Sequence, residues 1–261
     1  FYMEKIMKKI AAAIMAMGVL FFAGCSKQSE VVKMGTNAAF PPFEYTQGTE
    51  VVGFDVTLSK LIAKDYGKEL QVIDMSFDGL IAALNSGAID FVAAGMTATE
   101  ERRKNVDFSE PYYSSRQFII IKKGNSKITC AADLKGKVIG VQAGTTGEMY
   151  VQDEVENADL KSFKNGIDAS LALKNSAIDA IVLDELPSKE IVRRNPDLVL
   201  VEDDFYTEEY AIAVKKGNKA LLDSINKTIA AIKENGIYAQ MTDAYMPLEG
   251  EIRIPVIEGL E

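Results

Sequence analysis

The chain has no histidine among its 261 residues and only two cysteines, Cys25 and Cys130. Without histidine, the usual general base and the commonest transition-metal ligand are missing together, which argues against most enzymes. No metal and no other cofactor is expected. Two cysteines permit one disulfide at most, and Cys25 closes an apolar leader where it has a different use, so Cys130 reads as a small packed side chain. Positive charge is also scarce. The 29 Lys and Arg against 38 Asp and Glu leave a formal charge of −9, which argues against a nucleic-acid partner. At 48% hydrophobic and 26% charged, the rest is an ordinary globular composition with enough apolar residues for one or two cores.

One apolar run, residues 10–22, is shorter than a comfortable membrane span. Lys5, Lys8 and Lys9 precede it, and Phe22-Ala23-Gly24-Cys25 ends it. Residues 1–24 therefore read as an export signal, followed by a short polar linker over 25–30. The ending resembles a lipobox, with Phe22 where the bacterial pattern usually carries Leu. Small Ala23 and Gly24 admit a signal peptidase, and the Cys25 thiol accepts a diacylglycerol, giving a lipoprotein anchored by palmitate-type chains. The alternative is an uncleaved N-terminal anchor with Cys25 as a bystander. Either way the remainder is exported and tethered, and loss of residues 1–24, with three lysines and Glu4, moves the charge from −9 to −11.

Beyond the linker, apolar stretches of strand length alternate with stretches of helical period. Strands are expected at 31–35, 70–73, 91–94, 137–141, 180–183 and 198–201. Helices are expected at 77–84, 146–155 and 167–173, and Leu221, Ile225, Ile229 and Ile232 share one helical face with a stop at Asn235-Gly236. This alternation predicts an α/β fold. Residues 83–90, Ala-Leu-Asn-Ser-Gly-Ala-Ile-Asp, are echoed by residues 172–179, Ala-Leu-Lys-Asn-Ser-Ala-Ile-Asp. The echo is either a reused turn or the mark of two lobes on one βαβ plan. Two long apolar strands, 118–121 and 210–214, are expected to cross between those lobes.

Open α/β sheets bind ligands beyond the carboxyl ends of their strands. The residues at those ends are Asn37 and Phe40, then Phe77, then Ala94, Gly95, Thr97 and Arg102, and in the second half Gln142, Gly144, Thr145, Thr146 and Asp184. One cation and one anion among neutral donors suit a zwitterion. Thr99 can cap a short helix that carries Arg102 in its first turn, where a guanidinium fork matches a carboxylate; the alternative is pairing with Glu100 or Glu101. Gly144-Thr145-Thr146 opens a helix whose N–H groups suit the same anion. Asp184 is either an ammonium partner or a helix cap, and Phe40 and Phe77 either flank a ligand or belong to the core.

Several ordered runs carry a family resemblance: Gly35-Thr36-Asn37-Ala38-Ala39-Phe40-Pro41-Pro42-Phe43-Glu44, Val52-Gly53-Phe54-Asp55-Val56, and Ala94 through Arg102. The second half adds Asp133 through Val141 and Gly144-Thr145-Thr146. Over residues 31–247 the chain resembles the polar amino-acid solute-binding proteins of ABC importers, the group of the glutamine, histidine and lysine/arginine/ornithine binding proteins. The resemblance implies a two-lobed periplasmic-binding-protein fold of type II with two hinge crossings. Lobe 1 would comprise 31–116 and 211–261, and lobe 2 would comprise 117–210. It implies a monomer that captures a free L-amino acid and passes it to the importer's permease. The protein would sit at the outer face of the cell membrane, or in the periplasm of a host with an outer membrane. Arg102, Thr97 and the backbone at Thr145 and Thr146 would hold the α-carboxylate. Asp184 and the Ala94 carbonyl would hold the α-ammonium, while Phe40 and Phe77 clamp the side chain. Asn37 departs from the Asp common in basic amino-acid binders and, with Gln142, suits a neutral polar side chain such as glutamine; Glu44 offers an anion for arginine instead. Cyclohexadienyl dehydratases share this fold and are the enzymatic alternative.

Overall fold

Apolar strand-length runs become the centres of two sheets. The structure, a computed structural model, describes residues 30–201, 203, 206–247 and 251–260, so residues 1–24, read above as an export signal, Cys25 and most of the expected linker lie outside the described residues. The chain lays down β1 (Val31–Thr36), then a small antiparallel sheet of β2 (Ala39–Phe40), β3 (Glu44–Gln47) and β4 (Glu50–Val52), then α1 (Phe54–Asp65). β5 (Glu69–Asp74) returns parallel to β1, with Val31 beside Glu69. A 3₁₀ turn at Phe77–Gly79 leads into α2 (Leu80–Ser86), which delivers β6 (Phe91–Val92) to the other side of β1. α3 (Glu100–Asn105) and β7 (Val106–Phe108) complete this passage.

β8 (Tyr113–Lys122) begins the second sheet, followed by β9 (Val138–Gln142), α4 (Thr146–Glu154), β10 (Asp159–Phe163), α5 (Gly166–Lys174) and β11 (Ala180–Asp184). β10 and β11 flank β9 and both run parallel to it, as β5 and β6 flank β1. α6 (Glu185–Arg194) and β12 (Leu198–Val201) follow, and β13 (Thr207–Tyr210) runs back along the start of β8 with Tyr210 opposite Tyr113. β14 (Ala213–Lys215) then rejoins the first sheet between β6 and β7, and α7 (Lys219–Glu234) and α8 (Ile237–Tyr245) pack on α1. The sheet orders are β5-β1-β6-β14-β7 and β10-β9-β11-β8-β12, which gives two α/β lobes.

Local chemistry accounts for much of this. The α7 face Leu221, Ile225, Ile229 and Ile232 is buried, Asn218 caps the helix by accepting from the Leu221 N–H, and Gly236 lies past its end at φ 84°. The echoed octapeptides end α2 and α5 and enter β6 and β11. Asp90 accepts from the Lys33 N–H (2.8 Å) and Asp179 from the Val138 N–H (2.9 Å), so each aspartate ties the start of its strand to the parallel neighbour, β1 or β9.

Some expectations needed correction. Residues 118–121 do not cross between lobes but sit inside the second sheet, paired with β11 and β12; the chain leaves the first sheet between β7 and β8. Residues 210–214 form two strands, because pairing changes from β8 to β6 and β7 and the Ala211 N–H turns to the Met96 carbonyl. The strand at 91–94 stops at Val92, and the expected helix at 77–84 starts as a 3₁₀ turn. Past Pro247, Arg253 donates its N–H to the Ala244 carbonyl and Ile257 is buried, so residues 251–260 pack against lobe 1. Among the described residues no helix is long and apolar enough to cross a membrane.

Candidate functional site

The strand ends of both lobes converge on one narrow, largely closed cavity. Asn37, Phe40, Phe77, Ala94, Gly95, Thr97 and Arg102 line it from the first lobe, with Glu44 beside them. Gln142, Thr145, Thr146 and Asp184 line it from the second.

Arg102 owes its position to a cap. Thr99 Oγ1 accepts from the Arg102 N–H (3.2 Å), which sets Arg102 in the first turn of α3 with its side chain turned back toward the β6 end. Its guanidinium donates to the Thr97 carbonyl at 2.7 Å and, across the cleft, to the Gly144 carbonyl at 2.8 Å, and it lies over the Phe77 ring at 5.4 Å. Its hydrogen bonds thus go to carbonyls rather than to Glu100 or Glu101. Burial pulls its pKa down, and the charges of Glu208 and Asp184 oppose that shift.

Two glycines allow the close approaches around it. Gly95, at φ 53°, donates its N–H to Asp55, and a Cβ there would lie 2.8 Å from the Phe40 ring. Gly144, at φ 77°, would bring a Cβ within 2.9 Å of the Asp78 Cα in the facing lobe. Thr145 caps α4 by accepting from the Glu148 N–H, so Thr146 stands in the first turn, where backbone N–H groups have no partner within the helix.

The acidic residues are less ordinary. Asp184 occupies the N-cap position of α6, yet its side chain makes no capping bond; it accepts from Gln117 Nε2 (2.9 Å) and from the Tyr210 hydroxyl. Burial, then repulsion from Glu208, pushes its pKa up. Glu44 is 1% exposed, and its carboxyl meets the Asp55 carboxyl, with which it shares a hydrogen bond; no N–H group reaches either of its oxygens among the described residues. Burial pushes its pKa far above the usual carboxylate range, and the adjacent Asp55 carboxyl adds to the shift. Asp55 accepts from the Tyr112 hydroxyl (2.7 Å) as well as from Gly95, and burial outweighs those bonds to bring its pKa to about 6. Asn37 and Gln142 satisfy one another across the cleft: Gln142 Nε2 donates to Asn37 Oδ1 (3.0 Å), and Asn37 Nδ2 donates to the Met75 carbonyl (2.8 Å). Phe40 and Phe77 are almost wholly buried at the cavity wall.

Sequence reasoning assigned no role to Glu208, Gln117, Tyr210 or Asp55. Glu208, on β13, is buried and accepts from the hydroxyls of Thr97 and Thr146 and from Gln117. Nothing in the Glu-rich run around it distinguishes it from an exposed acid. Asp55 lies in the first turn of α1, where an acid usually complements the helix dipole.

Residues 32–247 match the bacterial extracellular solute-binding proteins, family 3. The chain is 40% identical over 220 residues to a probable histidine-binding protein of Campylobacter jejuni, covering 82% of this chain and 84% of that one. It is 36% identical over 247 residues to ABC transporter arginine-binding protein 1 of Escherichia coli, covering 92% and 100%. Among solved structures, an ancestral arginine-binding protein bound to arginine superposes with a TM-score of 0.79 at 42% identity, over 83% of this chain and 98% of that one. An ancestral arginine-binding protein has also been solved bound to glutamine. With the match running through both lobes, and with relatives that are themselves binding proteins over nearly their whole length, the chain belongs to the bacterial extracellular solute-binding proteins, family 3, as a binding protein and not an enzyme.

Proposed function

We propose that the cavity captures a free L-amino acid with a cationic side chain, of the arginine type, for delivery to the permease of an ABC importer. The supporting observation is Glu44, a buried carboxyl at the cavity wall set against a second buried carboxyl, Asp55, with no basic side chain paired to it among the described residues. Two buried carboxyls without a cation are costly to ionise, and an incoming guanidinium or ammonium relieves the cost. The donor and acceptor groups agree: the cavity offers one guanidinium, Arg102, and two carboxyls, Asp184 and Glu44, which burial disposes to hold their protons and which a ligand bearing an α-ammonium and a second positive group would draw into the charged form. Asn37 and Gln142, which in sequence favour a neutral amide ligand, are already bonded to each other. In this reading Arg102 and the backbone around Thr145 and Thr146 take the carboxylate, the Thr145 N–H giving up its long bond to the Gln142 carbonyl (3.4 Å). Asp184 and the Ala94 carbonyl take the ammonium, with Gly95 and Thr97 shaping that end. Phe40 and Phe77 flank the aliphatic stem.

Calorimetry with L-arginine, L-lysine, L-histidine, L-cystine and L-glutamine tests the assignment, ligand having first been stripped from the protein. Arginine should bind most tightly, and Glu44→Gln should weaken it by roughly tenfold or more while sparing glutamine. Tight glutamine binding with none of arginine would overturn the cationic reading in favour of a neutral amide.

The same proposal includes the division into lobe 1 (31–116 with 211–261) and lobe 2 (117–210), action as a monomer, export by residues 1–24, and acylation of Cys25. Mass spectrometry of the membrane fraction should find a mature chain starting at a lipid-modified Cys25. A membrane-bound chain that retains residues 1–24 would leave only the uncleaved anchor.

A further inference from the structure

The hydrogen-bond polarity of the cavity wall is governed by a residue just behind it. Glu208 lies on β13, 2% exposed, where the return crossing meets both lobes. Its Oε2 accepts from the hydroxyl of Thr97 in lobe 1 and, at 2.7 Å, from the hydroxyl of Thr146 in lobe 2. Its Oε1 accepts from Gln117 Nε2, which also donates to Asp184 at 2.9 Å. Each N–H of that amide thus meets a carboxylate, which fixes Gln117 as a donor to both.

A threonine hydroxyl has one proton to give and two lone pairs. Thr97 and Thr146 give theirs to Glu208, so what they turn toward the cavity is oxygen lone pairs. Their hydroxyls therefore have no proton left for a ligand carboxylate, and the help that the family resemblance implies from Thr97 would have to come from its backbone N–H. We propose that Glu208 is a positioning residue that converts Thr97 and Thr146 into acceptors, so that the wall around Asp184 selects an α-ammonium, with its three donors, over an α-hydroxyl, with one. This rests on the amino-acid reading above and adds the group that sets its headgroup selectivity.

Glu208→Gln tests the idea with almost no change of shape. The amide oxygen can keep the bond from Gln117, while the amide NH₂ replaces the oxygen that faced the two threonines. It then donates to them and frees their protons to point into the cavity. Calorimetry on the intact mature chain would compare L-arginine with its α-hydroxy analogue, in which a hydroxyl replaces the ammonium. Glu208→Gln should weaken arginine by about tenfold or more and the hydroxy analogue by less than about threefold, collapsing the preference between them. If wild type binds L-glutamine rather than L-arginine, glutamine and its hydroxy analogue serve equally. Equal weakening of both ligands would reduce Glu208 to an interlobe latch and overturn the proposal, as would unchanged arginine affinity. Absence of any amino-acid binding by wild type would instead sink the functional reading on which it rests. A double-mutant cycle supplies the second check: in a Thr97→Val, Thr146→Val background, Glu208→Gln should have little further effect. A full additive loss there would show that Glu208 does not act through these hydroxyls.

Discussion

The two lobes share a framework and differ at its edge. In each, one strand next to the sheet edge strand (β1 or β9) is flanked by two parallel neighbours, and the echoed Ala-Ile-Asp enters the inner one, β6 or β11. The agreement extends to single atoms. Gly35 in β1 faces Ile89, and Gly140 in β9 faces Ile178; a Cβ on either glycine would come within 2.2 Å or 2.5 Å of the isoleucine Cδ1. The next residues, Asp90 and Asp179, accept from an N–H of β1 or β9 and donate their own N–H to the same residue's carbonyl, Lys33 or Val138. The echo is therefore a packing unit used twice rather than a reused turn alone. The segments beyond the strand ends are not repeated: lobe 1 supplies the cation Arg102 and the aromatic walls, whereas lobe 2 supplies the anion Asp184 and the N-terminus of α4. A shared scaffold holds a guanidinium and a carboxyl on facing sides of one cavity, and under the proposed function a zwitterion placed between them would contact both lobes and favour a closed arrangement.

The charged edge should give the largest effects. Arg102→Ala removes a buried cation facing Asp184 and Glu208 and should weaken amino-acid binding by roughly a hundredfold to a thousandfold, read by calorimetry. Asp184→Asn keeps a carbonyl that can accept from an ammonium and should cost about tenfold. Unchanged affinity in Arg102→Ala would break the assignment of opposite charges to the two lobes.

The shared framework should respond symmetrically and more weakly. Gly35→Ala and Gly140→Ala each force a packed isoleucine aside and should destabilise the fold by about 1–3 kcal/mol, measured by urea unfolding. A loss in one lobe alone would show that the glycine–isoleucine contact is not equivalent in the two.

The smallest effect concerns Asp55, which holds the Gly95 loop in lobe 1. Its carboxyl pKa rises on folding from 3.8 to about 6, so the folded chain binds that proton more tightly than the unfolded one. Its contribution to stability is complete below about pH 4 and is lost as pH rises through about 6. Melting curves of ligand-stripped protein should show Asp55→Asn gaining on wild type between about pH 4 and pH 7. A difference that stays constant across that window would refute the shift.

Much of the site was legible because strand ends can be read from apolar runs, and cavity residues in this architecture follow them. Arg102 was legible for a second reason, since its cap, Thr99, lies three residues away in sequence. Glu44 was seen as an anion but not as one set against a second buried carboxyl, Asp55, because its neighbours are brought in by folding. The preference for a neutral ligand drawn from Asn37 and Gln142 weakens for the same reason: their bond joins residues 105 positions apart.

The amino-acid sequence by itself determined the α/β alternation, the helix caps and stops, the repeated Ala-Ile-Asp unit and the set of strand-end residues, all of which depend on interactions within a few positions or on burial periodicity. The tertiary structure alone decided which acids carry weight. Glu208 meets Gln117 and Thr97 across 91 and 111 positions. Asp55 meets Gly95 across 40. A carboxylate becomes a directing group only when folding removes it from water and puts specific donors against it, and no local pattern encodes that encounter.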